Sequence, residues 1–155
     1  MRVQIIFLGN ILYSDDKIGI IIGSKLKDKL QNLGCNVEIL ESIGYTLIDY
    51  LEGYDIAIIV DSIKTNKHPV GSVLLFEDED FKSAPTSPHY AGLPEALEIM
   101  RELGIKIPKT YIIAIEVKDP YTVSNDISSE LKTKLNYVVS RVFELIVDIL
   151  NTVRP

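Results

Sequence analysis

Residues 3–19, VQIIFLGNILYSDDKIG, join an apolar run to a loop bounded by glycines. The run at 3–8 is nearly continuous in apolar residues, which is typical of a strand buried on both faces of a parallel sheet. The chain then leaves through Gly9-Asn10 and places Asp15-Asp16 where a helical stripe of apolar residues begins. This stretch therefore predicts a strand, a short loop and a helix, with carboxylates near the end of the strand.

The rest of the chain repeats this alternation. We predict further strands at 37–40, 55–60, 72–76 and 110–117, and helices at 16–33, 45–51 (helix or turn), 93–103 and 128–151. Only about a dozen residues without a helical pattern join the third and fourth strands, so the fourth should be antiparallel and near an edge, because a parallel crossover normally carries a helix. The pattern predicts an α/β fold: a three-layer α/β/α sandwich around a sheet of about five mostly parallel strands, in a single domain over residues 1–155.

Composition argues against several functions and compartments. The chain has 155 residues, 46% of them hydrophobic, and a net charge of −6. Without a basic stripe to neutralise phosphates, nucleic acid is not expected as a partner. No apolar run approaches the roughly 18 residues of a membrane span, and the first residues do not resemble a signal peptide. The lone Cys35 can form no internal disulfide, so we expect a buried thiol and a cytoplasmic protein.

Polar residues follow several of the predicted strands. Asp16 comes after the first strand, Asp61 after the third, and His89 lies after the fourth, just before a helix; Glu116 and Asp119 follow the fifth. Ligands bind beyond the carboxyl ends of the strands in open α/β sheets. Two carboxylates and one imidazole make a plausible three-ligand metal site with open positions, so Asp16, Asp61 and His89 are predicted to converge around one point.

Each candidate also has a simpler interpretation. An aspartate at a helix start caps free N–H groups, and one of Asp15 and Asp16 can do so while the other points outward. Asp61 could make a turn at a strand end, and His89 could cap a helix or lie at the surface. The second histidine, His68, is predicted to be a solvated loop residue.

Other constellations that carry chemistry are missing from the sequence. There is no nucleophile elbow, P-loop or dinucleotide fingerprint. A phosphorylase- or nucleosidase-like enzyme would need cationic or glycine-rich phosphate contacts, and the first loop offers only Lys17. A non-catalytic metal-binding or carrier module using the same three residues remains an alternative to an enzyme.

Four short motifs together resemble those of the hydrogenase maturation proteases, the endopeptidases that trim the C-terminal tail of the large subunit of nickel–iron hydrogenases. They are GNILYSDDKIG at 9–19, IVDSI at 59–63, PVG at 69–71 and SPHYAGL at 87–93. They follow the family's order and span nearly the whole chain. Two departures are Lys17, where many members have glycine, and Glu116-Val117 in place of a common Gln-Pro step.

The resemblance implies both an activity and its residues. Asp16 and Asp61 would be catalytic, in a family classed with aspartic-type peptidases, and Asp16, Asp61 and His89 would contact nickel. No cofactor would be permanently bound, because the nickel is supplied by the partner, the large-subunit precursor of a nickel–iron hydrogenase. Cleavage would follow nickel insertion into that precursor.

Overall fold

A central sheet organises the computed structural model, which describes residues 1–41, 46–77 and 93–154. Its strands are β1 (Val3–Leu8), β2 (Asn36–Leu40), β3 (Ile56–Ile63), β4 (Val73–Glu77) and β5 (Lys109–Glu116). They lie in the order β2-β1-β3-β5-β4. All neighbours pair in parallel except β4, which pairs antiparallel with β5 at one edge. The predicted antiparallel strand near an edge is therefore confirmed.

Helices cover both faces of this sheet. They are α1 (Ile18–Asn32), α2 (Leu47–Leu51), α3 (Leu93–Glu102), α4 (Ser129–Thr133) and α5 (Leu135–Val153), and a 3₁₀ turn at Asp15–Lys17 precedes α1. Alternate residues of β1 face opposite layers: Ile5 and Phe7 pack with α1, α4 and α5, and Ile6 and Leu8 pack with α2 and α3. The three-layer α/β/α sandwich is confirmed. Among the helices described, none is long and apolar enough to cross a membrane.

Two predicted elements differ from the structure in ways that matter for the site. The helix predicted at 128–151 is two helices, α4 and α5, interrupted at Lys134, whose Nζ donates to the carbonyl of Val70 across 2.6 Å. The strand predicted at 55–60 continues to Ile63, because its pairing with β5 extends to Glu116. Asp61 therefore lies inside β3 rather than after it.

Close packing explains the glycines that bound the first loop. A Cβ at Gly19 would lie 1.9 Å from the carbonyl oxygen of Leu8, and one at Gly9 would lie 2.6 Å from the carbonyl oxygen of Asp16. No side chain fits at such distances, so glycine lets the start of α1 lie directly against the end of β1. This contact sets Asp16 beside the carboxyl end of the first strand.

Cys35 immediately precedes β2 and is 6% exposed, which confirms the predicted buried thiol. Burial raises the pKa of the Cys35 thiol, and the nearby Arg154 guanidinium opposes that shift. A thiol with a raised pKa is a poor nucleophile at neutral pH, which suits a packing role.

Candidate active site

The direction in which the chain adds strands to the sheet reverses between β1 and β3. From β1 the chain moves outward to β2 on one side, and from β3 it moves to β4 and β5 on the other. A crevice forms at such a switch point, outside the carboxyl ends of the strands, and ligands bind there in open α/β sheets. Asp16 follows β1 and Asp61 lies in the last third of β3, so both belong to this crevice.

Ser62 connects the two carboxylates. Its Oγ donates to Oδ1 of Asp16 across 2.8 Å, and its backbone N–H donates to Oδ1 of Asp61 across 2.7 Å. Asp16 is 8% exposed and Asp61 is fully buried. Buried carboxylate oxygens need hydrogen-bond donors of this kind to replace the water they lose. Asp16 and Asp61 are thus held around one serine, and its part in the site was not foreseen from the sequence.

Asp15 has a different environment from its neighbour. Its carboxylate accepts hydrogen bonds from the backbone N–H groups of Lys118, Asp119 and Ser128, at 2.9, 2.8 and 2.6 Å, and from the Ser128 hydroxyl at 2.9 Å. Asp15 is fully buried. Rather than capping α1, it ties the connection between β5 and α4 to the first loop.

The first loop and the connection between β5 and α4 also pair with each other through backbone hydrogen bonds just before Asp15. Tyr13 and Val123 form an antiparallel β-bridge, and we call residues 11–14 and 121–124 the paired loops. Lys17 is 8% exposed, and its amino group donates to the carbonyl of Ser124. Because that amino group is used to hold the paired loops together, Lys17 is poorly placed to serve as a phosphate contact.

Two other candidates near the ends of the strands also hold loops in place. The carboxylate of Glu116 accepts from the backbone N–H of Thr65 at 2.8 Å and from its hydroxyl. Asp119 accepts from the N–H groups of Tyr121 and Thr122, both at 3.0 Å, and from the Thr122 hydroxyl. The Thr122 hydroxyl, followed by these N–H groups, holds the pKa of Asp119 below its ordinary value.

The structure describes one of the two histidines, His68, and does not describe the other, His89. His68 is exposed in the loop between β3 and β4, which confirms the solvated position predicted for it. His89 lies outside the described residues, so its convergence with Asp16 and Asp61 stays a prediction. Within residues 1–41, 46–77 and 93–154, no three His, Cys, Asp or Glu side chains are grouped to hold a metal ion.

Comparisons with known proteins identify the family. A sequence model described as hydrogenase maturation protease matches residues 20–149, a span that includes Asp61 and begins after Asp16. The hydrogenase 2 maturation protease of Escherichia coli K12 is 33% identical over 114 residues, covering 70% of this chain and 68% of the relative. Protein FrxA of Pyrococcus furiosus is 28% identical over 142 residues, covering 88% and 96%.

Solved structures agree with the sequence relatives. The hydrogenase maturating endopeptidase HybD from E. coli has the same fold, with a TM-score of 0.74, 23% identity and coverage of 96% of this chain and 93% of that one. The [NiFe] hydrogenase maturation protease HybD from Thermococcus kodakarensis gives a TM-score of 0.73, 28% identity and coverage of 94% and 99%. With a family model matched over most of its length and the fold of these proteins, the chain belongs to the hydrogenase maturation protease family and is a peptidase.

Proposed function

We propose that this peptidase removes the C-terminal extension of the large-subunit precursor of a nickel–iron hydrogenase, after nickel insertion and in the cytoplasm. The observation that carries the proposal is the pairing of Asp16 and Asp61 around Ser62 at the switch point of the sheet. The relatives named as hydrogenase maturation proteases support the choice of substrate. The lone, buried Cys35, with no partner cysteine in the chain, fits a reducing compartment.

Nickel enters this scheme as part of the substrate. Carboxylate oxygens and imidazole nitrogens both bind divalent nickel, so Asp16, Asp61 and His89 would contact the ion already held by the precursor. Those contacts would place the scissile bond beside the two carboxylates. A precursor without nickel offers nothing to bridge two clustered negative charges, so it should dock weakly. This difference makes cleavage conditional on metal insertion.

Hydrolysis then needs a base beside the scissile carbonyl. Asp16 or Asp61 would accept a proton from a water molecule as its oxygen attacks the carbonyl carbon, and the same proton would pass to the leaving amine as the C–N bond breaks. Ser62 would hold both carboxylates in place during these steps through its hydroxyl and its backbone N–H. Neither proton transfer requires a cofactor resident in the enzyme.

The alternatives considered from the sequence receive less support. A phosphorylase- or nucleosidase-like enzyme would need a phosphate contact, but the amino group of Lys17 is bound to the Ser124 carbonyl. A non-catalytic carrier is at odds with membership in a family of peptidases. It would also bind nickel and leave the tail of the precursor uncut, which the following experiment detects.

The test separates metal in the substrate from metal in the enzyme. Chelator-treated, desalted enzyme is added to the precursor with and without nickel, and tail removal is followed by mass spectrometry. We expect only the nickel-loaded precursor to be cut. Equal cutting of the nickel-free precursor, or activity that returns only when zinc is added to the enzyme, would show that cleavage does not depend on nickel in the substrate.

Matched aspartate variants assign the activity to the crevice. Asp16→Asn and Asp61→Asn should each slow tail removal by about 100-fold or more, because one of them removes the general base and each weakens a nickel contact. Asp28→Asn is the control, because Asp28 is exposed on α1, away from the crevice. Retention of full activity by either crevice variant would remove that residue from the mechanism.

A further inference from the structure

Exposed apolar side chains are concentrated on the paired loops. In the part of the chain that the structure describes, ten large hydrophobic side chains are well exposed, and half of them lie here: Ile11, Leu12, Tyr13, Tyr121 and Val123. The other five belong to five different parts of the chain, and single exposed apolar side chains are normal for a protein surface. Exposed apolar side chains that gather in one region are typical of interaction sites.

The paired loops are well bonded despite their exposed side chains. The N–H of Ser14 donates to the carbonyl of Thr122 across 2.8 Å, and the N–H of Ser124 donates to the carbonyl of Leu12 across 3.1 Å. The buried carboxylate of Asp15 anchors the base of the second loop. Little conformational freedom is therefore lost when such a surface is covered, which favours binding.

Their position joins them to the crevice. The first of the paired loops runs directly into the 3₁₀ turn that carries Asp16, and Asp16 is hydrogen-bonded to Ser62 beside Asp61. A polypeptide lying on Tyr13 and Val123 would therefore reach the carboxylates with its next few residues.

We propose that the paired loops dock an apolar segment of the hydrogenase precursor and so position its tail at Asp16 and Asp61. The proposal rests on the proposed function and adds the surface through which the substrate is recognised apart from its metal. Nickel contacts alone report whether the precursor is loaded. An apolar docking surface supplies affinity for the polypeptide itself.

The alternative to the precursor is a second copy of this chain bound to the paired loops. Two copies would each bring a net charge of −6, and this repulsion opposes association. Five exposed side chains are also few beside the roughly 20–30 residues a side of a stable interface. Self-association here would bury the loop that leads into the turn carrying Asp16. A transient substrate complex fits the patch better.

The experiment compares two double variants matched in chemistry and exposure. Tyr121→Ser with Val123→Ser removes side chains that are 71% and 73% exposed on the paired loops. Tyr137→Ser with Leu103→Ser removes side chains that are 58% and 68% exposed elsewhere. Neither pair should change the melting temperature, because exposed side chains contribute little to stability. Each variant is assayed for tail removal from the nickel-loaded precursor and for binding to it.

We expect the paired-loop variant to raise KM and Kd about tenfold or more while kcat stays within about twofold, as loss of uniform binding does. The control variant should match the unmodified protein. Unchanged KM and Kd in the paired-loop variant would overturn the proposal. It would also fall if sedimentation shows the unmodified protein to be a dimer that this variant dissolves.

The same measurements separate this proposal from the proposed function. If the unmodified protein binds the precursor but never cuts it, the proposed function fails. Weaker binding by the paired-loop variant would then still support docking. If the unmodified protein neither binds nor cuts the precursor, both proposals are wrong.

Discussion

Asp15 and Asp16 are adjacent in the chain, yet their carboxylates serve different parts of the molecule. Asp15 is fully buried and accepts four hydrogen bonds from the connection between β5 and α4. Asp16 keeps some exposure and receives the Ser62 hydroxyl at the crevice. Asp15 therefore has a structural role, holding two segments together, and the proposed chemical role concerns Asp16 alone. A substitution at each should fail in a different assay.

Asp15→Ala should destabilise the fold by about 3 kcal/mol or more, because it strips partners from several buried or half-buried donors at once. Urea unfolding followed by circular dichroism measures the loss. Asp28→Ala, at an exposed position on α1, is the control and should stay within about 0.5 kcal/mol of the unmodified protein. A loss below about 1 kcal/mol for Asp15→Ala would mean that water replaces the carboxylate easily.

At the scale of elements, the connection between β5 and α4 is built from local turns as well as from the Asp15 contacts. Asp119 closes one of them by accepting from Tyr121 and Thr122. Near its end, Asp126 forms an ion pair with Lys132 at 2.7 Å. The Lys132 ammonium, followed by the Ile127 N–H, holds the pKa of Asp126 below its ordinary value. A lowered pKa means that both carboxylates stabilise the connection more when they are ionised than when they are protonated.

The resulting pH dependence has a definite sign. The folded-state pKa of Asp119 lies below the ordinary 3.8, so its contribution is complete above that value and is lost as pH falls through the folded pKa. We expect the free energy of unfolding to fall more steeply below about pH 4 in the unmodified protein than in Asp119→Asn. The asparagine oxygen can still accept from the backbone but does not titrate. Urea titrations at a series of pH values test this, and parallel curves would contradict it.

At the scale of the whole molecule, local sequence patterns predict the strands of the sheet but do not predict the contacts around the site. Continuous apolar runs such as Val3–Leu8 identify buried strands, and the short connection before β4 gives its direction. The partners of Asp15 lie 103 to 113 residues away, a distance at which no spacing rule operates. The bridge between Tyr13 and Val123 escaped prediction for the same reason. The sequence predicts Asp61 after β3, because polar residues usually end strands, whereas pairing with β5 continues through Asp61 to Ile63.

The third residue of the proposed site is His89, and its role is tested by comparing variants of the two histidines. His89→Ala should fold normally, with a cost of about 1 kcal/mol or less, because the sequence pattern predicts His89 before a helix and on no apolar stripe. Tail removal from the nickel-loaded precursor should fall at least tenfold, which corresponds to about 1.4 kcal/mol of lost interaction with the metal. His68→Ala, at an exposed loop position, is the matched control and should process normally. Thermal melts and the cleavage assay are run on both variants. Full processing by His89→Ala would refute the role as a nickel contact, and a large fall in its melting temperature would favour a helix cap instead.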